Sequence, residues 1–262
     1  MSGRVITITS GKGGVGKTTT TANLAMSLAS LDKKVVAIDA DIGLRNLDLM
    51  MGLENRIVYD LVDVVEGRCK LKQAMVKHKD YPSLALIPAS QVRDKTAISP
   101  QDMITVANEL KQAHDFVLID SPAGIEWGFK NAVAPADEVL VVTNPEVSAV
   151  RDADRIIGLL EAEDRPVPVR LIVNRIKLGM VRRGDMLSVE DVVSLLSIKL
   201  IGVVPDDEII IKSSNEGVAV TGRPKQAFED IARRLMGEKV PFMNLDSNGG
   251  VLERFRKLFG GG

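Results

Sequence analysis

The stretch Gly11-Lys12-Gly13-Gly14-Val15-Gly16-Lys17-Thr18 fits G-x-x-x-x-G-K-[ST] and constrains the chain more than any other feature. Before it, Arg4 to Thr9 is an apolar, β-branched run that predicts a buried strand. After it, Ala22, Leu24, Ala25, Leu28 and Ala29 fall at helical spacing. Strand, glycine loop and helix form the setting that a phosphate-binding loop needs. Glycines let the backbone turn sharply and bring its N–H groups to a phosphate. The helix N-terminus adds a positive dipole end. The motif assigns Lys17 to the β- and γ-phosphates of a nucleotide and the Thr18 hydroxyl to magnesium. A glycine-rich turn without a ligand would not need this flanking pattern.

Two further buried runs end in acids. Lys33 to Asp39 is followed by Asp41, and Phe116 to Asp120 continues into Ser121-Pro122-Ala123-Gly124. Acids at strand ends lie at the carboxyl edge of an α/β sheet, where ligands bind. On their own, these three acids also read as caps of polar loops. Strands are predicted at Leu84–Pro88, Glu138–Thr143, Val169–Arg175 and Leu200–Asp206. Helices are predicted at Pro100–Ala113, from Ser148 onward, and at Pro224–Met236 with proline at the first position. Gly52 to Asp80 reads as short helices, with His78 as a solvated surface group, while His114 and Trp127 read as packing residues. The alternation predicts an α/β fold of the P-loop NTPase type: a doubly wound, mostly parallel sheet with helices on both faces.

Composition narrows the function. Aromatics make up only 3% of the chain, so an aliphatic core must carry it. A net charge of −1 weighs against a large nucleic-acid footprint. A single cysteine, Cys69, leaves no disulfide framework or C-x-x-C site within the chain. With no charged-then-apolar leader and no apolar run near ~20 residues, a cytoplasmic protein is expected.

Lys12 is unneeded in an ordinary phosphate loop. Lys-Gly-Gly-Val-Gly-Lys-Thr, Asp-Ile-Gly-Leu-Arg-Asn-Leu-Asp from Asp41 and Asp-Ser-Pro-Ala-Gly-Ile-Glu from Asp120 resemble the deviant Walker A ATPases of the MinD/ParA group. The resemblance covers nearly the whole chain. It implies ATP and Mg2+ as cofactors and an ATP-dependent homodimer in which Lys12 reaches the partner's nucleotide. It implies that Lys12, Lys17 and Asp41 serve hydrolysis, with Asp41 orienting the attacking water. Thr18, Asp39 and Asp120 would hold magnesium. Gly11, Gly13, Gly14, Val15, Gly16, Thr19, Gly124, Asn174, Arg175 and Pro205 would complete the nucleotide site, with Asn174 reading adenine. Asp152 and Asp154, on a helix of alternating charge, would bind a MinC-like division inhibitor and a MinE-like activator.

The end of the chain reads as a body over residues 1–240, a linker over 241–250 and an amphipathic helix over 251–259. Val251, Phe255, Leu258 and Phe259 share one helical face and Leu252 borders it, with Arg254, Arg256 and Lys257 opposite. That pattern fits an interfacial anchor for acidic phospholipid, placing the protein on the inner face of the cell membrane when ATP is bound. The function implied is division-site placement by membrane cycling. A ParA-like DNA- or cargo-positioning ATPase is the alternative, but it should show a basic surface on the body, and no sequence-specific nucleic-acid contact is expected here. An iron–sulfur carrier is disfavoured by the lone cysteine. A non-catalytic scaffold would dispense with Asp41.

Overall fold

A computed structural model describes residues 3–163 and 166–242. In chain order the first half runs β1 (Arg4–Thr9), α1 (Lys17–Ser30), β2 (Val35–Asp39), α2 (Leu47–Met50), α3 (Leu61–Val65), α4 (Leu71–Ala74), β3 (Val76–Lys77), β4 (Leu84–Ile87), α5 (Pro100–Leu110) and β5 (Phe116–Asp120). The second half runs α6 (Trp127–Val133), β6 (Glu138–Thr143), α7 (Val147–Glu161), β7 (Val169–Ile176), α8 (Leu178–Arg183), α9 (Val189–Leu196), β8 (Lys199–Pro205), α10 (Glu208–Glu216) and α11 (Gly222–Leu235).

The strands form one sheet in the order β3-β4-β2-β5-β1-β6-β7-β8, parallel throughout except for β3 against β4. Strands β2, β5 and β6 are buried along their whole length, which explains their near-continuous apolar runs. Helices cover both faces. α1 and α11 pack on one side around Leu24, Leu28, Phe228 and Ile231. α3, α5, α7 and α9 cover the other through Leu61, Met103, Ile156 and Val192. From β1 the chain crosses to β2 on one side, and from β5 it crosses back over β1 to β6 on the other, so the crevice opens at the carboxyl end of β1, beside the phosphate loop.

Both sheet edges are blunted. β3 is two residues long, and the Arg56 guanidinium donates to the Lys77 carbonyl. Beside β8, Arg234 donates to the carbonyls of Ile201, Val240 and Pro241, and its guanidinium carbon lies 4.1 Å from the Phe242 ring centroid.

Several expectations change. The Gly52–Asp80 stretch holds the strand β3 in addition to short helices. His78 is buried: its Nδ1 accepts the Asp80 N–H at 3.1 Å and its ring faces Tyr81. Trp127 is about half exposed, with its indole N–H on the Ile98 carbonyl. The last helix begins at Gly222, so Pro224 is its third residue, where the missing N–H still costs nothing. The helix α10 had no counterpart in the sequence reading. Residues 243–262, with the expected anchor, lie outside the described residues. Among the described residues no helix is long and apolar enough to cross a membrane.

Candidate functional site

The loop's shape depends on glycine at defined points. Gly14 and Gly16 have φ of 79° and 95°, in the left-handed region that favours glycine. Gly11 packs against α7 so closely that a Cβ there would lie 2.2 Å from the Asp152 carbonyl oxygen. Gly16 ends the loop without any side-chain cap, and the first turn of α1 carries no acid. The leading N–H groups of α1 therefore remain a ready site for an anion. Lys17, buried at the start of α1, brings its charge to the same place. Thr18 and Thr19 follow it, half-buried, on the first turn.

Lys12 and Val15 point elsewhere. The Lys12 ammonium lies 3.2 Å from the Ser148 hydroxyl and 4.0 Å from the Glu146 carboxylate, both at the start of α7. The Val15 carbonyl accepts from the buried Asn174 amide at 2.7 Å. Asn174, Arg175 and Pro205 sit together at the ends of β7 and β8. Arg175 is exposed with φ 57°, at an irregularity between the two strands, and the Asp206 N–H bonds the Ile176 carbonyl. A cleft of about 730 Å³ opens beside Arg175, between Asn144–Val147 and α8.

The acids converge. β2 and β5 pair so that Asp39 stands directly opposite Asp120. Both are buried. Burial, and then the facing Asp120 charge, push the Asp39 carboxyl up to about 7. Asp120 is also raised by burial, opposed by the Lys17 charge and by hydroxyl bonds from Thr18 and Thr21. Asp39 Oδ1 accepts from the Asp41 N–H, and Oδ2 accepts from the N–H groups of Asn46 and Leu47. One carboxylate thus ties down the whole segment from Asp41 to the start of α2. Within that segment Arg45, at φ 46°, pairs with the buried Asp48 at 3.0 Å.

Two buried carboxylates that raise each other's proton affinity, beside a hydroxyl, make a setting that a divalent cation relieves. The donors are hard oxygens and too few for an all-protein cage. Magnesium matches this, since it keeps waters and phosphate oxygens in its shell. Among the described residues no group of three or more His, Cys, Asp or Glu side chains forms a cage. Thr18, Asp39 and Asp120 therefore fit magnesium held with a nucleotide.

The segment after β5 is braced from two sides. The Gly124 N–H bonds the Ser10 carbonyl at 3.2 Å, with Gly124 at φ 90°. The Ile98 carbonyl accepts from both Trp127 and Asn131. The Gly43 N–H bonds the Ser90 carbonyl. The 90–98 loop thus touches the segments that follow β2 and β5. On α7, Asp152 is half-buried against the loop and Asp154 is exposed. Sequence reasoning missed Thr21, Glu146 and Ser148. Thr21 stands three residues from Thr18, a spacing that puts both hydroxyls on one helix face. The pairing of Lys12 with Glu146 and Ser148 left no local signal.

A family model described as an AAA domain matches residues 3–165. The septum site-determining protein MinD of Bacillus subtilis is 55% identical, over 98% of each chain. The MinC:MinD cell division protein complex of Aquifex aeolicus matches with a TM-score of 0.85 at 51% identity, over 92% of this chain and 98% of that one. MinD of Pyrococcus horikoshii, solved with Mg-ADP, matches with a TM-score of 0.80 at 30% identity, over 90% and 99%. Matched almost end to end, and with the glycine loop and its two facing acids in place, the chain belongs to the MinD family of septum site-determining proteins.

Proposed function

We propose that this chain is a magnesium-dependent ATPase that regulates division-site placement by cycling between solution and membrane. The observation that carries the reading is the pair Asp39–Asp120, set in register beside Lys17 and Thr18, with a second lysine, Lys12, on the loop's outer side. Lys17 and the N–H groups of the loop bind the β- and γ-phosphates. Thr18, Asp39 and Asp120 hold the cation. When bound, magnesium neutralises charge on the phosphates and fixes their geometry. Asp41 orients the attacking water, and its backbone is pinned for this by Asp39. Asn174, Arg175 and Pro205 flank the base. Phosphoryl transfer needs positioning and charge more than covalent help, and these residues supply both.

Two protomers close face to face around ATP. Lys12 then leaves Ser148 and crosses to the partner's phosphates, freeing the start of α7. A MinC-like division inhibitor is a partner, as the MinC:MinD complex of the Aquifex relative supports, and Asp152 and Asp154 on that helix are its contacts and those of a MinE-like activator. The sequence after Phe242 supplies the membrane contact. Each basic residue adds only about 1 kcal/mol at an anionic surface. One short peptide binds weakly, whereas two on one dimer gain about 10²–10⁴ in avidity. ATP therefore gates the membrane through dimerisation, and hydrolysis releases it.

The test is sedimentation of the full chain with acidic phospholipid vesicles, comparing ATP with ADP and wild type with Phe255→Asp. Wild type should pellet with ATP only, and Phe255→Asp should stay in solution with its nucleotide affinity intact. Equal pelleting in ATP and ADP would break the link to dimerisation, and unchanged lipid affinity in Phe255→Asp would remove the anchor.

A further inference from the structure

Asp120 takes a hydrogen bond from α1 through a hydroxyl that belongs to no phosphate-loop motif. Thr21 is fully buried, and its Oγ1 lies 3.1 Å from Asp120 Oδ1. The same Oγ1 lies 3.1 Å from the Lys17 carbonyl, one turn earlier on α1. A hydroxyl has one proton to donate. The Lys17 carbonyl lies at the helical i−4 position, where the Thr21 N–H already serves it. A carboxylate is the stronger acceptor, so the hydroxyl proton goes to Asp120. Thr18, the motif's threonine, stands three residues earlier on the same face of α1. α1 therefore presents a Thr-x-x-Thr face to the end of β5.

We propose that Thr21 is a positioning residue for magnesium: it fixes the orientation of the Asp120 carboxylate so that Asp120 and the Thr18 hydroxyl meet the cation together. Thr18 touches the cation and Thr21 acts only through Asp120. The bland alternative is a buried helical threonine that bonds back to its own turn and does nothing else. On that reading, an isosteric residue without the hydroxyl would leave metal binding untouched. Groups that orient a metal's direct ligands are worth about 10–100-fold in metal affinity.

The inference rests on the magnesium-dependent hydrolysis proposed above. The experiment uses the full chain as wild type, Thr21→Val, Thr21→Ser and Thr21→Ala. A fluorescent ADP analogue is bound in chelator and then titrated with magnesium, and the magnesium dependence of ATP turnover is followed in parallel. Thr21→Val should raise the half-saturating magnesium concentration about tenfold and leave the analogue's affinity in chelator unchanged. Thr21→Ser should restore the wild-type curve. An unshifted Thr21→Val curve, or an equal shift in Val and Ser, overturns the proposal in favour of packing. If Thr21→Val does not fold, Thr21→Ala against Thr21→Ser makes the same comparison. A wild-type protein indifferent to magnesium would instead overturn the underlying reading, and that result is seen before any variant is made.

Discussion

Magnesium and protons should compete for this protein, and the competition can be read from thermal stability without nucleotide. The folded Asp39 carboxyl titrates near 7, against 3.8 for the ordinary group. The fold thus keeps a proton that the unfolded chain releases near pH 4. The metal-free protein therefore loses stability as pH rises through the window from about 4 to about 7, by up to ~4 kcal/mol at 1.36 kcal/mol per unit. Above that window Asp39 is ionised and most ready for a cation. At about pH 6, one folded molecule in roughly ten carries an ionised Asp39, and at about pH 8 roughly nine in ten do. The apparent magnesium affinity should rise about tenfold between them, adding ~1.4 kcal/mol of magnesium-dependent stability. For a chain of this size that is a difference of about 3–5 °C in melting temperature. Melting curves with millimolar magnesium or chelator at the two pH values test this, with Asp39→Asn as the control that should flatten the difference. A magnesium shift equal at both pH values, or one that keeps its pH dependence in Asp39→Asn, would refute the account of the pair.

Three other outcomes are expected. Asp41→Ala should bind ATP normally and hydrolyse it about a hundredfold more slowly, and undiminished turnover would rule out its role at the water. Gly11→Ala forces a methyl into the Asp152 carbonyl, so α7 or the loop must move. Calorimetric titration should show at least about tenfold weaker nucleotide binding, with ~1–3 kcal/mol of lost stability, and native affinity would mean that the contact yields freely. Glu138 is buried between the guanidinium groups of Arg4 and Arg170 at the base of the sheet. Glu138→Gln should cost about 2–3 kcal/mol in urea unfolding, less than the ~3–5 of a fully buried pair because Arg4 is 41% exposed, and should leave nucleotide binding alone.

Much of this molecule was legible where the signal is local. Parallel strands buried on both faces write themselves as Val-Ile-Leu runs, so β1, β2, β5 and β6 stood out, with Asp39 and Asp120 ending β2 and β5. The phosphate loop and the acids Asp39 and Asp120 are positions counted from strand ends, so their meeting followed from the topology. What escaped is held by distant contacts. α10 buries only Ser213 fully and docks through a backbone meeting of Gly217 with Gly52, where either Cβ would lie within 2.7 Å of the other chain segment. No apolar stripe announces such a helix. β3 is too short to show a period. His78 looked solvated among Lys77, Lys79 and Asp80, yet its environment comes from the Asp80 backbone and the Tyr81 ring. The Asn174 bond to Val15 spans 159 residues, and only the fold brings it about.

The blunted sheet edges bear on how such a protein survives at high density. Molecules gathered on a surface meet one another far more often than in dilute solution. An open strand edge would then be a template for irreversible fibre growth. Here one edge ends in two residues under Arg56, and at the other the Ile201 carbonyl is already taken by Arg234. Backbone pairing between copies has little to start from at either end. Crowding can then bring copies together without committing them to an assembly they cannot leave.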